Sequence, residues 1–410
     1  MARGKKKTVI DTAHPHTIKK FELIEEYIKS WSQKLMLYEN CNTLVFIDCM
    51  CNCGVYFDDD GNLIDGTSVR VANALLNVAI KYPCKMVQLY LNDINKEKVE
   101  ELRKHIPANE RNFQIITTDL DAGALLRTIG PQLYNAGHLH YFLLYDPYNA
   151  TIDWAALIPF FRNWGEVMIN HMVSDPVRAI TSAKRQTTKE KYENTYLEAF
   201  AELVPYGSNK QAYEKRVEEI IEALKGPRNY YVSAFPFYNS QNSQVYSLVH
   251  CTSSREGFKL YKKSAWKVFG DQSSTKKTHG EDGQLVLNLD PNVGSVVTTS
   301  TDESCFTVHD ITKYLQKSFS GRKGVHIEEM WALLDEHPIF PSSYRNQIKQ
   351  ELVEMYDATK KQVVDPLTGK KETVIWRTPR AQRRSAKRAA RPPWRRAKDI
   401  WNSMKRTESI

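Results

Sequence analysis

The chain has 410 residues and a formal net charge of +9, with 41% hydrophobic and 26% charged residues. A chain of this length can form two or three domains with a substantial core. The apolar and charged fractions are ordinary for a globular protein, and no apolar run approaches the roughly 18 residues that cross a bilayer. These values exclude a chain that spans a membrane.

The N-terminal segment is basic but does not resemble a secretory signal. Residues 1–7 carry Arg3 and three lysines, and they lead into Thr8-Val9-Ile10-Asp11 instead of an apolar core. A signal peptide needs such a core after its basic residues. The sequence therefore predicts a cytoplasmic protein.

The positive charge is concentrated at the C-terminus. Residues 377–410 contain twelve lysines and arginines against two acids, whereas the remainder has 45 basic and 46 acidic residues. Arginines with interleaved tryptophans suit phosphate contacts and base stacking. The residues predicted to bind nucleic acid are Arg383, Arg384, Lys387, Arg388, Arg391, Trp394, Arg395 and Arg396. The alternative is a solvated terminus without a specific role.

Seven scattered cysteines do not form a disulfide framework. Cys49, Cys51 and Cys53 make a C-x-C-x-C run, which raises the alternative of a metal site. Structural zinc usually needs pairs two to four residues apart and a second distant pair, which this sequence lacks. We therefore predict no metal and interpret the cysteines as small residues that fill a tight turn.

The first elements predict a helix followed by a buried strand. Apolar residues recur at helical spacing over residues 16–37, and a short apolar strand over residues 43–47 ends at Asp48. The segment from there to Gly66 is predicted to be a loop because it is rich in aspartate and glycine. A second helix is predicted for residues 67–79.

The same alternation continues along the chain. Further strands are predicted for residues 86–91, 113–117, 140–145 and 166–170, and further helices for residues 96–105, 122–129 and 154–164. Strands that alternate with helices in this way form a parallel sheet covered on both faces. Residues 175–228 are predicted to be a helical insertion, followed by a hairpin of residues 230–237 and 244–251 and a helix over residues 255–269.

The last third of the chain is predicted to be separate. Residues 271–304 are polar and rich in serine, threonine and glycine, which is typical of a linker. Three helices and a β-ribbon follow, in the order of a winged helix, a module that often binds DNA but elsewhere mediates protein contacts. The predicted domains are residues 1–42 (arm and helix), 43–270 (α/β domain), 271–304 (linker), 305–376 (winged-helix-like module) and 377–410 (basic tail).

Four predicted strands end at aspartates, namely Asp48, Asp93, Asp119 and Asp146. The carboxyl ends of parallel strands meet at one edge, where open α/β sheets bind ligands. A carboxylate after the second strand suits the ribose hydroxyls of a nucleoside cofactor. One after the third strand can accept a hydrogen bond from an adenine amine.

The loop after the first strand must let the backbone approach such a cofactor. Gly54 and Asn52 are the residues in this loop that tolerate left-handed dihedral angles. The predicted cofactor-binding residues are therefore Asp48, Asn52, Gly54, Asp93 and Asp119.

The segment Asp146-Pro147-Tyr148 follows the apolar strand Phe142-Leu143-Leu144-Tyr145. It presents an acceptor, a rigid backbone carbonyl and a stacking surface, which together suit a planar amine such as the exocyclic nitrogen of a nucleobase. The alternative is a strand-exit turn with a packed tyrosine. Three histidines, His14, His16 and His171, are weaker site candidates, because a histidine at a helix start or strand end is more often structural.

Several segments resemble the bacterial three-Cys-motif partner proteins. They are residues 16–27, 46–56 (FIDCMCNCGVY), 66–71 (GTSVRV), 91–93, 146–148, 167–170 and 257–268. The resemblance covers about residues 14–270, and the C-terminal module is similar to the family's variable winged-helix end. It implies a Rossmann-like class I methyltransferase-type fold and a separate partner protein of radical-SAM type that carries three cysteines.

Three functions are compatible with these patterns. The first is an S-adenosylmethionine-dependent methyltransferase that acts on nucleic acid, with Asp146, Pro147 and Tyr148 at the target amine. The second is a non-catalytic nucleic-acid-binding partner protein on the same fold, which the scarcity of glycine in the first loop favours. The third, and the least favoured, is a Mg²⁺-dependent nuclease or phosphotransferase that uses the strand-terminal carboxylates.

Overall fold

The computed structural model describes residues 9–134, 136–162, 164–226, 229–277, 305–322, 324–356, 358, 360–364 and 371–375. The chain divides into two units, residues 1–307 with 334–343 and residues 308–333 with 344–410. Most of the predicted linker and all of the basic tail, including the eight residues assigned to nucleic acid, lie outside the described residues. The predicted domain boundaries stay predictions.

The first unit is built on a seven-stranded sheet with a separate two-stranded hairpin. The strands of this unit are β1 (Thr43–Asp48), β2 (Val55–Phe57), β3 (Leu63–Asp65), β4 (Met86–Asn92), β5 (Phe113–Thr118), β6 (Leu139–Tyr145), β7 (Gly165–His171), β8 (Tyr231–Tyr238) and β9 (Gln244–Thr252). The sheet has the order β5-β4-β1-β6-β7-β9-β8, and β2 pairs with β3 in a separate hairpin. The five neighbouring strands β5, β4, β1, β6 and β7 pair in parallel, whereas β9 is antiparallel to both β7 and β8. The mostly parallel sheet predicted from the sequence is confirmed.

The helices of this unit follow the predicted alternation. They are α1 (Pro15–Met36), α2 (Thr67–Lys81), α3 (Lys96–Leu102), α4 (Ala122–Tyr134), α5 (Trp154–Leu157), α6 (Ser174–Ala179), α7 (Gln186–Tyr196), α8 (Phe200–Leu203), α9 (Lys210–Leu224) and α10 (Arg255–Val268). Helices α6 to α9 lie between β7 and β8, where the helical insertion is predicted. Three tyrosines of the insertion, Tyr192, Tyr196 and Tyr213, are buried in one cluster with the sheet.

The two faces of the central strands pack against different helices. Phe46 of β1 stacks on Phe142 of β6 at a centroid distance of 5.9 Å, and Phe142 contacts Tyr27 and Trp31 of α1. The alternate residues, among them Ile47 and Leu143, lie in the cluster that includes α4 and the insertion. Each large apolar side chain buried in this way stabilises the fold by about 1.5–3 kcal/mol.

Two predicted elements differ in the structure. The predicted loop before α2 contains the hairpin β2–β3, which turns at Gly61 with a φ of 82°. The Asp-Gly pair at its tip is the sequence signal for such a hairpin. The helix predicted for residues 154–164 ends at Leu157, and a 3-10 turn continues to Phe160. Pro159 explains this difference, because proline has no N–H to continue the helical hydrogen bonds.

The second unit is smaller. Its elements are α11 (Val308–Ser318), β10 (Val325–His326), α12 (Ile327–Glu336, whose last turn belongs to the first unit), α13 (Arg345–Tyr356), β11 (Lys360–Val364) and β12 (Lys371–Ile375). The three strands form a sheet of order β10-β12-β11. The assignment of this unit as a winged helix stays a prediction. In the part of the chain that the structure describes, no helix is long and apolar enough to cross a bilayer.

Candidate active site

The register of the parallel strands places the predicted carboxylates at one edge of the sheet. Asp48 pairs with Leu91 on one side and with Leu144 on the other, so Asp93 and Asp146 both lie two residues beyond its level. The edge strand β5 reaches the same level, since Thr118 pairs with Asn92. The sheet therefore aligns Asp93, Asp119 and Asp146 along one rim, and Asp48 lies two residues before the level of this rim.

Asp48 is buried, with 2% of its surface exposed. Its carboxylate accepts hydrogen bonds from the Ser68 hydroxyl at 2.7 Å and from the backbone N–H of Met50 at 3.3 Å. Burial raises the pKa of this carboxyl to about 7; the Ser68 hydrogen bond opposes this shift, and the charge of Asp146 adds to it. Asp48 thus ties β1 to the first turn of α2.

The three cysteines of the C-x-C-x-C run are all buried, as expected for small residues that fill a turn. The thiol of Cys51 contacts the carbonyl oxygen of Asn52 at 3.4 Å, and that of Cys53 the carbonyl oxygen of Val55 at 3.1 Å. Burial raises the pKa of all three thiols, which makes them poor nucleophiles. Among the described residues, no group of three histidine, cysteine or acidic side chains is arranged to hold a metal ion.

Asn52 and Gly54 both have the predicted left-handed backbone, with φ angles of 57° and 74°. Gly54 is packed closely against the protein: a Cβ at this position would lie 2.4 Å from Leu102 Cδ1 and 2.9 Å from Val69 Cγ2. The absence of a side chain at Gly54 is therefore required by the packing of α2 and α3 against the loop. The prediction explained this glycine by close approach to a cofactor, and its packing role was missed.

Asp93 is 3% exposed and accepts two backbone hydrogen bonds. The N–H of Asn52 donates to Oδ2 at 3.0 Å, and the N–H of Asn95 donates to Oδ1 at 2.9 Å. The same Asp93 therefore holds the loop after β1 and the start of α3. Asp119 is exposed at the neighbouring strand end.

Asp146 is held by two side chains that the sequence analysis did not identify. Lys20 of α1 donates to Oδ2 at 2.5 Å, and the amide of Asn170, at the end of β7, donates to Oδ1 at 2.5 Å. Lys20 is 7% and Asn170 is 2% exposed. The Oδ1 atom of Asn170 is buried and has no hydrogen-bond partner among the described residues. Asp146 thus carries a fixed orientation and lies beside an unpaired acceptor.

Tyr148 is a rigidly held and exposed aromatic ring. Its hydroxyl oxygen accepts hydrogen bonds from the Asn52 amide at 2.6 Å and from Lys98 Nζ at 2.7 Å, yet the residue is 64% exposed. Lys98 also lies 4.9 Å from the ring centroid. Burial of the hydroxyl raises the pKa of Tyr148 to about 12, against the effect of Lys98. The intervening Pro147 is buried.

The three weaker candidates have structural partners. His14 Nδ1 lies 2.8 Å from Asp59 Oδ1, and His171 Nε2 lies 3.1 Å from the hydroxyl of Tyr196. Burial lowers the pKa of His16 to about 4, with His14 and Lys20 contributing, and lowers that of His171 to about 3. Both imidazoles are therefore neutral at physiological pH.

The residues that were missed share one property: each is distant in sequence from the residue it contacts. Lys20 lies 126 positions from Asp146, and Lys98 lies 50 positions from Tyr148. Lys20 lies one residue before Phe21 on the apolar side of α1. A charged residue on the apolar side of a helix is the sequence signal that could have identified Lys20 as a site residue. Nothing in the sequence distinguishes Lys98 from Lys96, the other lysine of α3.

Two cavities of about 380 and 300 Å³ lie away from this rim. The larger is lined by residues of α1, α2 and β3, including Glu25 and Arg70. The smaller, which His140 and Trp164 line, lies where β6 and β7 begin. The predicted cofactor residues line neither cavity.

No protein-family model matches this chain, and no curated protein matches it. Solved structures with a similar fold include a protein of Legionella pneumophila described by the family model DUF519, with 10% identity and a TM-score of 0.35. The match covers 61% of this chain and 92% of that one.

Two further structures are methyltransferases with S-adenosylhomocysteine (SAH). The O-methyltransferase of Bacillus cereus has 12% identity and a TM-score of 0.30, over 56% of this chain and 80% of that one. A loganic acid methyltransferase has 12% identity and a TM-score of 0.28, over 65% and 87%. These likenesses agree with the α/β architecture described above and say nothing about what this chain binds or does.

Proposed function

We propose that this protein is an S-adenosylmethionine-dependent methyltransferase that modifies the exocyclic amino group of a nucleobase. One observation carries the proposal: Asp146 and Tyr148 follow the same strand at the carboxyl edge, each fixed by two polar contacts, while Tyr148 as a residue stays 64% exposed. Open α/β sheets bind ligands at this edge. A fixed acceptor next to a fixed, open ring is the arrangement that a flat amine requires.

The chemistry assigned to these residues is positioning. A base stacked on Tyr148 would present its amino group to the carboxylate of Asp146 and the backbone carbonyl of Pro147, which accept its two N–H bonds. Accepting hydrogen bonds from both N–H groups leaves the nitrogen lone pair facing the methyl donor. The one N–H proton that the nitrogen would lose on methylation would pass to the carboxylate of Asp146. Most of the rate enhancement would come from this orientation, because correct placement alone lowers such barriers by several kcal/mol.

Lys20 and Asn170 are assigned to the same function. Both hold Asp146 in one orientation, and the ammonium of Lys20 balances its negative charge at 2.5 Å. The unpaired Oδ1 of Asn170 offers a further acceptor beside Asp146. A buried acceptor without a partner costs about 1–3 kcal/mol, so its presence next to the proposed target site favours a ligand donor.

The hydrogen-bond acceptors at the strand ends suit the hydroxyls and the amine of an adenosyl group. S-adenosylmethionine, when bound, would supply the methyl group. Each Asp93 oxygen accepts one backbone N–H bond, and a carboxylate oxygen has two lone pairs, so capacity for ribose hydroxyls remains. We assign Asp93 to the ribose hydroxyls and the exposed Asp119 to the adenine amine. Asp48, Asn52 and Gly54 are assigned to the support of the cofactor-binding loop after β1.

Calorimetry with SAH tests the cofactor assignment on the full chain. We expect micromolar binding to the wild type and a loss of at least tenfold in Asp93→Asn, because the amide cannot accept both ribose hydroxyls and both backbone N–H bonds. Asp60→Asn, an exposed acid in the neighbouring hairpin, is the matched control. If the wild type does not bind SAH, the proposed function is wrong.

Methyl transfer to homopolymers tests the substrate assignment. With radiolabelled S-adenosylmethionine, poly(A) or poly(C) should accept methyl groups, whereas poly(I) and poly(U), which lack the exocyclic amine, should not. Asn170→Ala should reduce the rate about 10- to 100-fold without changing SAH affinity, because it frees Asp146 to rotate. Asn77→Ala, on the surface of α2, should leave the rate unchanged. Equal labelling of poly(A) and poly(I) would contradict the amine assignment.

A non-catalytic nucleic-acid-binding protein on this fold is the second candidate. The burial of Asp48 and Asp93 favours it, because both carboxylates are occupied by protein donors. In that case nucleic acid would bind through the tail and the second unit, interpreted as a winged helix, without SAH binding. The same calorimetric experiment separates the two candidates.

The partner assignment follows from the resemblance to three-Cys-motif partner proteins. We propose a radical-SAM-type partner protein on that basis alone, and the cytoplasmic location is a separate proposal. Co-purification of the chain with a radical-SAM-type protein that carries three cysteines would test the partner. A chain that elutes alone when both proteins are co-expressed would exclude a stable complex.

A further inference from the structure

Four side chains from four different segments meet in one hydrogen-bonded group, and one of them belongs to Asn52, whose backbone N–H binds Asp93. They are Asp11 of the N-terminal arm, Asn52 of the loop after β1, Lys98 of α3 and Tyr148 after β6, and we call them the clasp. Asp11 Oδ2 accepts from Lys98 Nζ at 2.8 Å and from Asn52 Nδ2 at 2.9 Å. The hydroxyl of Tyr148 accepts from the same two donors. The clasp is thus a closed ring of four hydrogen bonds.

The arm that carries Asp11 is held on the hairpin β2–β3. The N–H of Ala13 donates to the carbonyl oxygen of Phe57 at 2.8 Å, and the N–H of Phe57 donates to the carbonyl oxygen of Asp11 at 3.0 Å. These backbone bonds keep the arm in place when the Asp11 side chain moves. The clasp can therefore open at its side chains while the arm stays attached.

The clasp is joined through Asn52 to the residue that the proposed function assigns to the ribose. Asp93 is 3% exposed, although the next residue, Ile94, is 72% exposed. Asn52 takes part in the clasp and also contacts Asp93. Its side chain binds Asp11 and Tyr148, and its backbone N–H binds Asp93.

We propose that the clasp is an autoinhibitory contact that closes the cofactor side of the site, an inference that rests on the proposed function. S-adenosylmethionine reaches Asp93 only when the Asn52 side chain leaves Asp11 and Tyr148. Lys98 keeps its contact with the Tyr148 hydroxyl, so the ring that the proposed function assigns to base stacking stays in place.

Asp11→Ala and Lys98→Met each remove one member of the clasp from the full chain. The broken contacts are partly exposed, with Asp11 49% and Lys98 15% exposed at the side chain. Contacts of this kind contribute a small free energy, so we expect SAH to bind about two- to fivefold more tightly in both variants, with a faster association rate. Calorimetry and stopped-flow fluorescence measure the two quantities.

The matched controls are Lys104→Met, which removes an exposed lysine of the same region paired with Glu101, and Asp60→Ala. Both should bind SAH as the wild type does. Thermal unfolding of each variant shows whether it is folded, and Lys98→Met tests the clasp independently of the arm.

The outcomes separate the two proposals. Tighter SAH binding in both clasp variants and unchanged binding in both controls supports the clasp. Equal or weaker binding in the folded clasp variants, while the wild type binds SAH, overturns the clasp and leaves the methyltransferase proposal intact. If neither the wild type nor the opened variants bind SAH, the proposed function is wrong and the clasp has no cofactor to exclude.

Discussion

Lys20 Nζ lies 2.5 Å from Asp146 Oδ2, although α1 and the end of β6 are 126 positions apart. The side chains are 9% and 19% exposed, so the pair is largely removed from water. A buried charge that loses its partner is strongly destabilising, because its hydration is not restored. This pair therefore couples the stability of the first unit to the geometry of the proposed site.

Lys20→Met should lower the free energy of unfolding by roughly 2–4 kcal/mol, less than for a fully buried pair because Asp146 retains some solvent contact. Urea unfolding measures this change. Lys19→Met, whose ion pair with Glu22 is exposed, should change stability by less than about 1 kcal/mol. Combining Lys20→Met with Asp146→Asn should cost less than the sum of the single changes, and strict additivity would contradict the coupling.

Asp48 should make stability depend on pH. Burial raises its pKa from 3.8 to about 7, so its stabilising contribution is complete below pH 3.8 and is lost as the pH rises through 7. Asp48→Asn removes this titration. The stability of the variant relative to the wild type should therefore rise between about pH 4 and pH 7, by an amount on the order of 4 kcal/mol. Unfolding at several pH values would show this, and parallel curves would exclude it.

Gly54→Ala should be more destabilising than Gly61→Ala. Both glycines have a positive φ, 74° and 82°, so both substitutions carry backbone strain of about 1–2 kcal/mol. A Cβ at Gly61 meets nothing within 4 Å, whereas one at Gly54 lies 2.4 Å from Leu102 Cδ1. Overpacking should add about 1–3 kcal/mol at Gly54 alone. Thermal unfolding of the two variants isolates the packing contribution, and equal losses would contradict it.

A chain that ends at Trp376 should bind nucleic acid more weakly than the full chain. It lacks twelve basic residues of the tail and therefore releases fewer counterions on binding. The logarithm of the association constant should fall less steeply with the logarithm of the salt concentration. A fluorescent oligonucleotide titrated at several salt concentrations gives this slope, and an identical slope for both chains would rule out a role for the tail.

The sequence predicted the sheet because its signals are local. Alternating apolar strands and amphipathic helices, such as α1 and β1, have periodicities that short segments carry by themselves. The same holds for the rim of aspartates: once the strands are parallel, residues that follow them lie at one edge. The early end of α5 could have been predicted from Pro159, and the hairpin β2–β3 from Asp60-Gly61.

The sequence by itself determined the α/β alternation and the strand ends that carry Asp48, Asp93, Asp119 and Asp146. Only the tertiary structure decided what those groups contact. Lys20, Asn170 and Asp11 come from distant segments, and no local periodicity encodes such pairings. Burial, which depends on the whole fold, then sets which carboxylates face protein donors and which remain open to a ligand.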